Sequence, residues 1–259
     1  MSGILFDRIV FGPIHSRRLG RSLGINLLPD TEKVCSMNCV YCECGWGEID
    51  AIKSPNLLSA NEIIPVLTKR LEQMHHNNTT IDSITYSGNG EPTIHPQFAE
   101  ITDAVISLRN RYFPQTIITC LSNSTQLHRS DVRNALKSID NPLMKLDAGT
   151  QSMFERINKP FSDIRLDDIC DNLRNFGRKL VIQTLFLRGK LDDNTIVDNT
   201  TDEEISEWLK RLAYIQPSKV ILYPIDRETP AKLLEKIDKN TLLQIAAKIQ
   251  TLGIDAECF

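Results

Sequence analysis

Four of the chain's seven cysteines fall within ten residues, in the stretch VCSMNCVYCECG. Cys35, Cys39 and Cys42 are spaced C-x3-C-x2-C, and Tyr41 stands just before the third. Three thiolates from one loop suit three irons of a [4Fe–4S] cluster and leave the fourth iron open to an outside ligand. Four thiolates, with Cys44 as the fourth, suit a closed structural zinc site. The spacing alone does not choose between them. A second group of residues able to do chemistry lies in SGNGEPT: Gly88, Asn89, Gly90 and Glu91. The glycines permit positive φ and close approach of the backbone, Glu91 offers an anionic acceptor or a loop tie, and Pro92 stiffens the exit.

The elements that must position these groups alternate. GINLLP reads as a strand entering the cysteine loop, followed by helix SANEIIPVLTKRLEQMHH with Ser59 and Glu62 spaced as a capping box. Strands DSITYSG, TIITCLS, LMKLDAG, LVIQTLFL and KVILYPI follow, separated by helices, and GIDAECF adds a candidate edge strand. Six β-then-α units with continuous apolar strands predict an α/β fold, a parallel sheet covered by helices. SGNGE, SNST, DAGT, RGKLDDN and DRET each follow a strand, on the face that carries function in α/β barrels and open sheets. Residues 1–22, 43–58 and 188–200 read as irregular. The 259 residues, 41% hydrophobic, can bury a core without disulfides. The net charge of −3 gives no global basic field. No apolar run has membrane-spanning length and no signal-peptide layout precedes the first strand, so the chain reads as cytoplasmic, where clustered cysteines serve metals or redox chemistry.

The C-x3-C-x2-C loop after the first strand, the aromatic before its third cysteine and SGNGEPT after the second strand together resemble the radical S-adenosylmethionine (AdoMet) superfamily. FGPIHSRRLGRSLGINLLP, YSGNGEPTIHP, KLDAGTQSMFERINKP and YPIDRETPAKLL are similar to a small branch of it related to the core of the wyosine-forming tRNA enzyme. That enzyme carries further cysteines before this loop, and here none precedes Cys35. The resemblance implies a partial, open (β/α)6 TIM-like barrel as a single domain over 1–259, with 1–22 as an extension over the mouth and 23–259 as the core. It implies one [4Fe–4S] cluster on Cys35, Cys39 and Cys42, and AdoMet on its open iron. Reductive AdoMet cleavage would give a 5′-deoxyadenosyl radical that abstracts hydrogen from a substrate, the cofactors carrying the hard chemistry. Tyr41 would shield the cluster, and Gly88, Asn89, Gly90 and Glu91 would meet the AdoMet ammonium. Ser122, Asn123, Lys145 and Asp147 are placed for the ribose or carboxylate, Gln183 and Tyr223 for the adenine. A Lys145–Asp147 pair closing the barrel and Tyr223 as plain packing are the alternatives.

For the substrate, Arg17, Arg18 and Arg21 of HSRRLGRS and Asp226 and Arg227 of DRET are the candidates, gripping an anionic group at the entrance. A solvated basic loop and a surface ion-pair network are the competing readings. Cys120 and Cys170 read as core, while Cys44 and Cys258 have no assigned role. The implied partners are an electron donor such as flavodoxin or ferredoxin and an anionic substrate, RNA among the possibilities. An oxidoreductase-type radical enzyme therefore stands beside a tRNA-modifying enzyme, a glycyl-radical activase and a non-catalytic zinc module.

Overall fold

The computed structural model describes residues 3–177 and 179–259. In chain order the elements are β1 (Val10–Ser16), β2 (Gly20–Ile25), α1 (Ile49–Lys53), α2 (Ala60–His76), β3 (Ser83–Tyr86), α3 (Phe98–Tyr112) and β4 (Ile117–Ser122). Then come α4 (Ser130–Ser138), β5 (Asn141–Lys145), α5 (Gln151–Asn158), α6 (Leu166–Phe176), β6 (Val181–Lys190), β7 (Ile196–Asp198) and α7 (Asp202–Ile215). The chain ends with β8 (Lys219–Pro224), β9 (Leu233–Lys236), α8 (Lys239–Gln250) and β10 (Asp255–Cys258).

The sheet order is β1-β2-β3-β4-β5-β6-β8-β10. From β2 to β10 every neighbouring pair is parallel, so the six expected strands and the edge strand all form. The helices cover one face. Tyr86 of β3 packs on Phe98 of α3 at 5.3 Å between ring centroids, and Phe186 of β6 meets Trp208 of α7 edge-on at 5.3 Å. Side chains alternate along a strand, so Ser83 and Thr85 face the other way, into the barrel. There Ser22, Ser83, Thr85 and Thr119 join a buried hydroxyl ladder with contacts of 2.7–3.0 Å. The predicted capping box at α2 is present, with the Ser59 amide donating to Glu62 at 2.8 Å.

Contacts between the sheet's two ends show that it curls. The Ala231 amide, beyond β8, donates to the Val40 carbonyl in the cysteine loop at 3.2 Å. Arg18, in the turn between β1 and β2, lies over the Tyr223 ring of β8 at 4.2 Å. No ladder joins β1 to β8 or β10 among the described residues, so the barrel is partial and open.

Three expectations need correction. Residues 10–22, read as irregular and over the mouth, form β1 and the start of β2, an antiparallel hairpin at the sheet edge. Only the segment from residue 3 to 9 lies beside the cysteine loop, where the Ile4 amide donates to Glu43 at 2.9 Å; residues 1 and 2 of the extension fall outside the described residues. The stretch 188–200 is also ordered: β6 runs on to Lys190 and pairs antiparallel with both β7 and β9. Within 43–58, Ile49–Lys53 forms the short helix α1.

Candidate active site

β2 delivers the chain into the cysteine loop, and the loop is docked by backbone. The Val34 amide donates to Asn89 O at 2.9 Å and the Glu91 amide to Val34 O at 2.9 Å, a parallel bridge between Val34 and Gly90. Gly90 has φ +140°, and a Cβ there would sit 1.8 Å from the Val34 carbonyl oxygen. The glycine is therefore required by close approach of two backbones.

Two of the three spaced cysteines have a side-chain amide donor of their own. Asn123 Nδ2 lies 3.5 Å from Cys35 Sγ, and Asn158 Nδ2 lies 3.4 Å from Cys39 Sγ. The buried Lys33 Nζ donates to the Gly45 carbonyl at 3.0 Å, and its charge acts on the three sulfurs, Cys42 first. Burial depresses the Lys33 pKa, but the sulfurs of Cys42, Cys35 and Cys39 outweigh it and the net direction is up. Burial pushes the Cys35 thiol up to about 12 and raises Cys39 as well. The neighbouring Cys44, then the Lys33 charge, move Cys42 down. Cys44 Sγ donates to the Gly88 carbonyl at 3.1 Å, so it faces the glycine loop. Among the described residues no group of three His, Cys, Asp or Glu side chains is arranged around a single metal ion. The donor set fits a cluster: soft sulfurs on one loop, two met by amide N–H groups and all three beside the Lys33 charge, which can lower their charge density.

Glu91 is turned inward. Its Oε2 accepts from the Asn123 amide at 2.5 Å, and Oε1 from the Thr93 amide at 3.1 Å and the Thr93 hydroxyl at 2.5 Å. Burial raises its pKa. The carboxylate thus ties SGNGE to SNST. Asn89 is likewise occupied, its Nδ2 donating to Phe6 O at 2.9 Å and Pro29 O at 2.8 Å. Ser122 Oγ accepts from the Ser124 amide at 3.1 Å.

Lys145 and Asp147 meet at the end of β5, with Nζ 3.8 Å from Oδ2. Asp147 is saturated: Oδ1 accepts from the Leu185 amide at 3.0 Å, and Oδ2 from the Tyr41 hydroxyl and from Asn158 Nδ2 at 2.9 Å. Lys145 Nζ donates to Tyr41 Oη at 2.9 Å and Tyr223 Oη at 3.2 Å. Burial works against its charge, but Asp147 and Tyr223 raise its pKa, so the ammonium is held protonated. Gln183 Oε1 accepts from Arg18 Nη1 at 2.9 Å. A connected polar path therefore runs from Arg18 past Tyr223, Lys145, Tyr41, Asp147 and Asn158 to Cys39.

The hairpin turn and the loop after β8 meet through an Arg17–Asp226 pair at 2.9 Å. Arg227 pairs with Glu43 of the cysteine loop at 2.6 Å. Arg21 does not join them. It sits at the start of β2, where its amide and guanidinium contact Asp82 at 2.7 and 3.7 Å, at the end of the strands opposite the cysteine loop. Asn158 and Lys33 were not among the expected site residues. Lys33 carried a signal, a cation two positions before Cys35; Asn158 carried none, lying 119 residues from Cys39.

A sequence family described as "Radical SAM superfamily" matches residues 33–212. The chain is 32% identical over 259 residues to a UPF0026 protein of Methanocaldococcus jannaschii, covering 95% of this chain and 75% of that one. It is 33% identical over 223 residues to a protein of Brachyspira hyodysenteriae named GTPase Obg, covering 85% of this chain but only 30% of that protein's length. Among solved structures, TYW1 with a lysine–pyruvate adduct superposes with a TM-score of 0.61 at 14% identity, over 89% of this chain and 73% of that one. At that identity the likeness is one of fold.

Proposed function

The chain belongs to the radical SAM superfamily, and from that premise we propose that it is an enzyme holding one [4Fe–4S] cluster on Cys35, Cys39 and Cys42 and AdoMet between the SGNGE and SNST loops. The family's cofactors are that cluster and AdoMet, and the family's chemistry is AdoMet cleavage by a radical route. One observation supports the ligand assignment: three buried or half-buried sulfurs on one loop, two of them met by the Asn123 and Asn158 amides, with the buried Lys33 beside all three. When bound, the cluster and AdoMet supply reductive carbon–sulfur cleavage and hydrogen abstraction.

The residues' own tasks follow from their contacts. Lys33, Asn123 and Asn158 orient the cysteines and offset thiolate charge. Tyr41, held between Lys145 and Asp147, walls the cluster from the barrel interior. Glu91 and Asp147 act as positioning residues, fixing the loops whose backbone groups would meet AdoMet. Arg17, Asp226, Arg227 and Glu43 form an ion-paired rim at the entrance. The family needs an electron donor as well as a substrate, and a flavodoxin or ferredoxin would serve the former. Among the described residues no helix is long and apolar enough to cross a membrane. The GTPase name is not carried over: the match spans 30% of that protein, and this sequence lacks a G-x4-G-K-[ST] loop.

The test is anaerobic reconstitution with iron and sulfide, followed by dithionite and AdoMet. The expected result is a brown protein with about four irons and formation of 5′-deoxyadenosine. Cys35→Ala, Cys39→Ala and Cys42→Ala each lose both; Cys44→Ala keeps the cluster. A colourless zinc protein, or loss on changing Cys44 with Cys35→Ala tolerated, would refute the assignment.

A further inference from the structure

Three of the four arginines expected at the substrate entrance are already matched by carboxylates: Arg17 by Asp226, Arg21 by Asp82 and Arg227 by Glu43. Arg18 is different. Among the described residues no carboxylate stands within ion-pair distance of it. It leaves the hairpin turn toward the barrel interior, where Nη1 donates to Gln183 Oε1 at 2.9 Å and the guanidinium lies over the Tyr223 ring at 4.2 Å. Gln183 is buried on β6. The same ring has a second cation beside it: Lys145 Nζ is 5.8 Å from the ring centroid and 3.2 Å from Tyr223 Oη. The one carboxylate near Lys145 is Asp147, and both its oxygens are taken by Tyr41, Asn158 and the Leu185 amide.

Two cations thus flank Tyr223 with a single carboxylate, already engaged, between them and the cysteine loop. Partly buried charge without a counter-ion is costly, so an anion from outside is the natural complement. Tyr223 adds to the site. Its oxygen accepts from Lys145, and its own proton has no protein acceptor among the described residues, which leaves it free to donate to the same anion. Below this level the inner face carries Ser22, Ser83, Thr85, Thr119 and Asn141 beside Leu143 and Ile221, so hydroxyls and an amide take much of the space where a closed barrel would carry branched aliphatics.

We infer that Arg18, Lys145 and Tyr223 form a binding site inside the barrel for the carboxylate of a small, polar substrate. The inference rests on the reading of the chain as a radical AdoMet enzyme and names the substrate class for it. Charge selects carboxylate over phosphate: two cations and Asp147 leave one positive charge, which a monoanion balances and a dianion overshoots. Charge also argues against RNA, because the rim arginines are neutralised by Asp226 and Glu43 and only Arg18 points inward. Holding the substrate by a fixed guanidinium and ammonium would present one carbon–hydrogen bond to the AdoMet side, which is what selective hydrogen abstraction needs.

The test uses reconstituted holoenzyme with AdoMet and ligand-observed NMR of propionate, propionamide and inorganic phosphate. Propionate should bind at least about tenfold more tightly than its neutral amide or phosphate, the range expected for losing a charge-assisted contact. Arg18→Gln should weaken propionate by a similar factor, Arg18→Lys should recover most of it, and Arg17→Gln should stay within about twofold of the wild type. Iron content and circular dichroism equal to the wild type establish that each variant is folded. Equal binding of propionate and propionamide, phosphate binding tighter than propionate, unchanged binding in Arg18→Gln, or an equal loss in Arg17→Gln would each overturn the site. AdoMet cleavage by the wild type is measured on the same preparation. Its absence beside intact propionate binding would overturn the radical reading and the substrate role, and not the anion contacts.

Discussion

Replacing Gly90 by Ala sets a methyl carbon 1.8 Å from the carbonyl oxygen of Val34, with no side chain available to move aside. Two costs add. A non-glycine residue at φ +140° carries backbone strain of about 1–3 kcal/mol. Relieving the collision must also separate Val34 from Gly90, which breaks the bonds from Val34 N to Asn89 O and from Glu91 N to Val34 O, both 2.9 Å. Each contributes about 0.5–1.5 kcal/mol net. The expected loss is therefore about 2–6 kcal/mol, or at least about 4 °C in thermal midpoint for a domain of this size. Val34 adjoins Cys35, so the iron content after reconstitution should fall as well. The assay is a melting curve of the apo protein at fixed scan rate, paired with iron analysis. Gly253→Ala is the control. Its φ is +73°, but nothing lies within 4 Å of the added carbon, so it reports backbone strain alone and should leave iron untouched. A Gly90→Ala protein that melts within about 1 °C of the parent and takes up full iron would refute the docking argument.

Asn158→Leu removes the N–H aimed at Cys39 and one of the donors on Asp147; the cluster potential should become more negative with iron retained, and an unchanged potential in an EPR-monitored redox titration would remove Asn158 from its assigned role. Glu91→Ala frees the Asn123 amide and lets the SGNGE and SNST loops, proposed to hold AdoMet, separate; calorimetry with AdoMet should read a loss of about 1.5–3 kcal/mol, roughly ten- to a hundredfold in affinity, and unchanged affinity would show that the tie is dispensable. His95 is buried, with Nδ1 accepting from the Gln97 amide at 3.1 Å and Nε2 facing the Leu58 carbonyl at 2.9 Å. Burial lowers its folded pKa, so the unfolded chain takes up the proton first: its contribution is complete above about pH 6.5 and is lost as pH falls toward the depressed value. The urea midpoint of His95→Gln should therefore change less between pH 7.5 and 5.5 than that of the parent, as measured by circular dichroism; equal changes would clear His95.

The parallel strands were legible because each is a short apolar run closed by polar residues, and the helices because their apolar positions recur with helical period. β1 gave neither signal. Its residues run from buried to exposed without alternation, a register irregularity falls between Phe11 and Ile14, and Gly12-Pro13 reads as a breaker. β7 and β9, three and four residues long, are too short to show a period; they exist because β6 overruns the barrel and offers both its edges. The cysteine loop was legible because its three spaced cysteines are local in sequence. Their donors were not, since Asn158 and Asn123 reach the sulfurs only once α5 and the loop after β4 are packed around the loop.

The same distinction separates the arginines. In sequence, Arg17 and Arg18 are neighbours of one type in one loop, and nothing assigns them different work. The turn between β1 and β2 does so, because adjacent side chains leave it in different directions. Arg17 remains exposed and finds Asp226, a pair whose worth is about 0–1 kcal/mol and whose effect is to hold the turn against the loop after β8. Arg18 goes inward to Gln183 and Tyr223, where water screens it less and where the rows of the sheet bring Lys145 level with Gln183. Every strand of the barrel contributes only one or two of these polar groups, within a run that otherwise reads as core. Parallel register stacks Ser22 beside Ser83 and Lys145 beside Gln183, and so gathers scattered exceptions in apolar strands onto one inner face, beside Leu143 and Ile221. Arg18 is held in its inward direction by its own contacts with Gln183 and Tyr223, so the interior site does not depend on the weak surface pair that Arg17 makes with Asp226.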